Sequence, residues 1–201
     1  MADSVLRLYS YEVGAVDIKI VDNSDGTYSL SSAFAADPTV VLGAGTAEIG
    51  KVDAGRTHTI SQQPTITAGA YSAGDAVGGK LTFANAARTS GGGGIITNLR
   101  IIDDAGQDAE LELWLFDQDF TAMSDNAAWA PSEADLENWV MTISTTGDTW
   151  RSAGTPSTID IDFVKGYVCN GTALYGQLVT RGTPTFAATD DLTAKLTMIR
   201  D

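Results

Sequence analysis

Three groups of side chains in this 201-residue chain have the types and spacing that invite chemistry. The first is acidic: Asp103, Asp104 and Asp108 in D-D-A-G-Q-D precede a strand-like run, and Asp117 and Asp119 follow it. Oxygen ligands from two loops are what calcium needs, yet neither loop has D-x-D-x-D-G spacing. In a chain of formal charge -14, acidic turns need no metal to explain them. Glu110 and Glu112 suggest a glycosidase pair, but such acids face one another across a sugar cleft, and these are neighbours on one strand. The second group is nucleophilic: Cys169 is the only cysteine and His58 the only histidine. A thiol or serine nucleophile would have to draw on that one ring, and Ser61 stands in no G-x-S-x-G turn. G-Y-V-C-N-G reads instead as a strand end holding a small buried hydrophobe, and His58 as a solvent-facing side chain. The third is the glycine run 90–94, which resembles a phosphate loop only in composition. No Gly-Lys-Ser/Thr follows, and I-I-T-N-L-R-I-I is strand-like, so an inter-strand loop is expected. No catalytic residue, metal ligand or cofactor site is expected, and a single cysteine excludes both an intrachain disulfide and a cysteine-rich zinc site.

Four tryptophans add a fourth chemistry, since aromatic faces stack on sugar rings. Trp114, Trp129, Trp139 and Trp150 could line such a platform, with Trp114 or Trp150 the candidates for sugar contact and Trp139 expected in the core. Trp114 lies on the polar face of its strand, where an aromatic implies contact with a helix, a loop or another subunit.

The elements that must position these residues are strands. Residues 109–116 read A-E-L-E-L-W-L-F, and the two-residue period puts Leu111, Leu113 and Leu115 on one dry face and Glu110, Glu112, Trp114 and Phe116 on a wet one. Similar runs are expected at 65–68, 79–84, 95–103, 139–145, 158–163, 174–180 and 192–199. About eight antiparallel strands with one wet face each predict an all-β, jelly-roll-like sandwich, with an up-and-down barrel as the competing architecture. P-S-E-A-D-L-E-N-W-V predicts one short helix, N-capped by Ser132, with Leu136, Trp139 and Val140 on one face.

Before the sandwich, Val16, Ile18 and Ile20 alternate with polar residues up to the turn N-S-D-G, and 27–31 resume the alternation. Residues 5–12 are expected to add a third strand, with Leu6 and Leu8 opposite Arg7 and Tyr9. Such a sheet has little core of its own. The glycine-rich stretch 37–63 predicts a connector. The expected division is 1–55, an N-terminal β arm with connector, and 56–201, the sandwich.

The charge of -14 opposes nucleic acid and anionic membranes as partners. No run approaches the length that spans a bilayer, and no basic stretch leads into an apolar one at the N-terminus, so a soluble chain made in a cytoplasm is expected.

Several blocks together resemble virion structural proteins of tailed bacteriophages: T-A-G-A-Y-x-A-G-D-x-V-G-G from Thr67, L-x-L-W-L-F-D from Leu111, D-N-A-A-W-A-P-S from Asp125 and L-Y-G-Q-L-V-T-R-G-T-P from Leu174. E-I-G-K-V-D from Glu48 is similar to connectors in such proteins. The resemblance implies a non-enzymatic capsid decoration or cement protein on the virion surface. Its implied partners are the major capsid protein and further copies of itself, as a homotrimer at threefold sites of the shell. A carbohydrate-binding head-fibre or tail protein is the alternative. The candidate assembly contacts are Leu6, Leu8, Tyr9 and Tyr11 on the N-terminal sheet and Trp114 on the sandwich.

Overall fold

The computed structural model describes residues 57–200 in full and, before them, the backbone of three strands. These are β1 (Ser4–Ser10), β2 (Gly14–Asp22) and β3 (Tyr28–Ser32), an antiparallel sheet in the order β1-β2-β3. Leu6 and Leu8 pair with Ile18 and Val16, and Tyr9 with Ala15. Tyr11 and the segments 23–27 and 33–56 lie outside the described residues. Contacts divide the chain into Met1–Lys51 and Val52–Asp201.

The second unit is an antiparallel sandwich. One sheet joins β4 (Thr57–Gln62), β12 (Leu192–Arg200), β6 (Gly93–Asp103), β10 (Ser157–Val168) and the two-residue β9 (Arg151–Ser152), in that order. The other joins β5 (Ala76–Phe83), β11 (Leu174–Thr180), β7 (Leu111–Phe116) and β8 (Trp139–Ser144). With β9 set aside, the eight strands taken in chain order form the sheets first-eighth-third-sixth and second-seventh-fourth-fifth. That is the connectivity of a jelly roll, two interleaved Greek keys, and it excludes the up-and-down barrel. Among the described residues no helix is long and apolar enough to cross a membrane.

The period-two leucines set the interior. Leu111, Leu113 and Leu115 are fully buried, and Ile159, Leu192, Ala194 and Leu196 answer them from the opposite sheet within one hydrophobic cluster. Cys169 belongs to that cluster.

Several expectations need correction. Residues 57–62, expected as connector, form edge strand β4, with Ile60 paired to Leu196. None of its residues is fully buried, so no dry face marked it as a strand. Residues 65–68, expected as a strand, belong to no strand, and the Ile66 N–H donates to Thr189 O at 2.9 Å. The glycine run is loop only up to Gly92, because β6 begins at Gly93. Helix α1 (Glu133–Leu136) is one turn long, and Ser132 caps it by accepting from Asp135 N at 3.1 Å. It buries no residue, Leu136 is exposed, and Trp139 opens β8 rather than sharing a helical face. Trp139 is 47% exposed, so it is not a core residue.

Candidate functional site

The wet face expected on β7 is covered by the chain itself. Glu112, Trp114 and Phe116 do project from the side opposite the leucines, but the long connection 117–138 crosses that face and packs on them. Phe120 stacks on Phe116 with centroids 4.2 Å apart and planes 23° from parallel. That contact buries Phe116 completely from the side where solvent was expected. Trp129 approaches Trp114 to 5.5 Å and Phe120 to 6.4 Å, and Trp139 lies 6.2 Å from Trp114 on its other flank. Edge-on and tilted arrangements of this kind stabilise aromatic pairs beyond their buried area.

Two side chains pin the connection down. Gln177 of β11 is fully buried next to Trp114, its register partner. Its amide oxygen accepts from Met123 N at 2.9 Å, while its amide nitrogen donates to Met123 O at 2.7 Å and to Gly78 O at 2.8 Å. One side chain thus gives Met123 both hydrogen bonds that a neighbouring strand would have given. Asp125 does the complementary work with a carboxylate. Its Oδ1 accepts from Tyr71 Oη at 2.7 Å and from Gly78 N at 2.5 Å, and its Oδ2 accepts from Thr67 Oγ1 at 2.6 Å. Thr67 N in turn donates to Tyr71 Oη, 2.7 Å. Gly78 has φ +70, and a Cβ there would sit 2.5 Å from Pro64 Cβ, so this close backbone approach needs glycine.

Burial, and then the hydrogen bond to Asp125, push the Tyr71 hydroxyl well above its ordinary value near 10. An unfolded chain releases that proton at about pH 10 while the folded chain holds it. The contribution is therefore complete below pH 10 and is lost as pH rises toward the folded value. Between pH 9 and pH 11 the urea midpoint of the wild type is expected to fall further than that of Tyr71→Phe. Equal falls in the two proteins would show that this hydroxyl is not protected.

Around the aromatic cluster two acidic side chains are ion-paired, Glu112 and Asp119. Glu112 accepts from Arg181 Nη2 at 2.7 Å and from Trp114 Nε1 at 3.0 Å. The Arg181 hydrogen bond holds its carboxyl below the usual glutamate range. Lys80 bonds Asp119 and lies 5.8 Å over the Phe120 ring. Glu112 is thus committed to its neighbours, and Glu110, exposed, precedes the strand.

The other sequence candidates are scattered. Asp103 is buried and closes the β6–β7 turn by accepting from Ala105, Gln107 and Asp108 N–H groups at 2.8–3.0 Å. Among the described residues no three His, Cys, Asp or Glu side chains are grouped to hold a metal ion. His58 is half-buried on β4 in register with Met198, and desolvation and then Arg200 lower its pKa. Ser61 is exposed, and Trp150 packs partly buried against the core.

No family model, curated protein or solved structure matches this chain. The arrangement nevertheless brings together what the sequence holds apart. Thr67, Tyr71 and Gly78 come from the first resemblance block, Trp114 and Phe116 from the second, Asp125 and Trp129 from the third, and Gln177 and Arg181 from the fourth. All four meet in one clamp on the outer face of the β5-β11-β7-β8 sheet. Trp114, a candidate assembly contact, packs against Trp129 of the chain's own connection. Leu6, Leu8 and Tyr9 are placed in the N-terminal sheet. Asp125 and Gln177 escaped sequence reasoning: an aspartate in a loop and a glutamine inside a strand carry no periodic signal.

Proposed function

We propose that this chain is a non-enzymatic virion structural protein, a capsid decoration protein that binds the major capsid protein and stabilises the shell. The observation that carries this reading is the convergence of the four phage-like blocks on a clamp in which Asp125, Gln177 and Glu112 are committed to neighbouring side chains and to backbone. Such a clamp stiffens a body. Rigidity suits a protein held on a shell by many copies of a weak contact, because little conformational entropy is lost on docking. The acidic chain suits a neutral or basic protein surface and opposes nucleic acid and anionic membranes.

The docking segment is assigned to the N-terminal sheet, through Leu6, Leu8, Tyr9 and Tyr11. Removal of residues 1–55 is expected to abolish co-sedimentation with purified shells while the circular dichroism of the sandwich persists. Undiminished binding by a folded truncation would rule this assignment out.

A specific feature favours the second reading, a carbohydrate-binding head-fibre or tail protein. Trp139, exposed and flanked by Trp114, offers an aromatic face for a sugar ring. In that case glycan-array hits are expected for the wild type and not for Trp139→Ala; an array without hits would remove it.

A further inference from the structure

Strand β8 ends the second sheet, hydrogen-bonded to β7 on one side only, so its other side presents free backbone N–H and C=O groups. Edges of this kind are templates for another strand, and proteins ordinarily protect them with charge, proline or cover. Among the described residues β8 has none of these. The stretch N-W-V-M-T-I-S-T-T-G, 138–147, carries neither charge nor proline in a chain of net charge -14. The other free edges differ: β4 buries no side chain fully, β5 is covered where Ala76 exchanges hydrogen bonds with 126–127, and β10 carries Asp160 and Asp162. Beside β8 runs an apolar groove of about 490 Å³, walled by Trp139, Met141 and Ile143 on one side and Phe163 and Val164 on the other. Val164 is 79% exposed at an irregularity between Asp162 and Lys165, where β10 drops out of register with β6. Ile95 and Val168 are two more exposed apolar side chains, on β6 and β10.

We infer that the β8 edge and its groove receive the β8 edge of a second copy of this chain, antiparallel across a twofold axis, so that two sheets become one. The lack of carboxylates suits a second copy of an acidic chain: among the described residues Lys165 is the only charged one lining the groove. Strands of an acidic protein repel when carboxylates face one another, but β8 against β8 places uncharged residues opposite uncharged residues at every register. Such a contact is isologous and closes on itself as a dimer, unlike the trimer that threefold sites imply.

Sedimentation of the full chain at micromolar concentration, with hydrogen exchange at high and low concentration, tests this. The wild type is expected to be a dimer in which the β8 amides facing away from β7 are protected only when dimeric. Thr142→Lys, which sets like charges on the paired strands, is expected to give a folded monomer. Val164→Lys, at a side chain so exposed that folding does not depend on it, is expected to weaken the dimer by at least about tenfold. A monomeric or trimeric wild type overturns the inference, as does a dimer with unchanged β8 exchange or one that survives both substitutions. A monomer whose β8 becomes protected only when purified shells are added also overturns it and makes the shell protein the occupant. The dimer measurement needs no shell, so its failure is separable from failure of the docking assignment.

Discussion

Asp125→Ala is expected to destabilise the sandwich by about 4 kcal/mol, read as a lowered urea midpoint, with the connection 117–138 losing hydrogen-exchange protection first. The carboxylate is the shared acceptor for Thr67 Oγ1, Tyr71 Oη and Gly78 N. Alanine leaves all three donors without it, and Tyr71 is buried where water does not replace the lost partner. Each stranded donor costs about 1–3 kcal/mol, and relaxation of the loop returns part of the sum. Asn at 125 keeps one carbonyl acceptor and is expected to cost about half as much. If Ala and Asn cost the same and both stay under about 1 kcal/mol, the clamp does not hold the connection.

Gly94→Ala is expected to cost about 3 kcal/mol, from overpacking rather than from a lost bond. Gly94 lies within β6, paired with Arg200 on one side and Tyr167 on the other. A Cβ there would meet Tyr167 Oη at 2.8 Å and Arg200 Cα at 2.9 Å, with Ile199 O closer still. Tyr167 is anchored by its hydrogen bond to Ala86 O, 2.6 Å, and Ile199 O belongs to the neighbouring strand, so the clash is relieved only by moving backbone. Gly91 makes the control. Its φ is +77 and a Cβ would meet nothing within 4 Å, so Gly91→Ala is expected to cost about 1 kcal/mol, the conformational penalty alone. Equal thermal shifts for the two variants would show that the strand tolerates the added methyl group.

These two sites also show what was legible in the sequence. The dry faces of β7, β10 and β12 were, because Leu111 to Leu115, Ile159 with Ile161, and Leu192 to Met198 alternate with polar residues, and burial follows that alternation. A face covered by a loop was not legible. Gln177 and Trp114 are polar or amphipathic, as residues on a wet face are, and only the path of 117–138 brings Met123 and Trp129 over them. Glycines in a loop and glycines in a strand look the same in one sequence, so the boundary at Gly93 was invisible too. Edge strand β4, polar on most positions, gave the periodicity nothing to register.

The hydrogen bonds of the clamp join residues far apart along the chain: Thr67 to Asp125 spans 58 positions and Gly78 to Gln177 spans 99. The strand pairings beneath it span as far, Val77 of β5 meeting Leu178 of β11, and Gln177 reaches Gly78 and Met123 only when those strands are side by side, so the clamp closes on strands already paired. Contacts that form after the rate-limiting step govern how fast a protein comes apart and leave the speed of assembly nearly untouched. Asp125 and Gln177 therefore act on the lifetime of the folded chain, and their replacement is expected to raise the unfolding limb of the kinetics while the refolding limb stays in place.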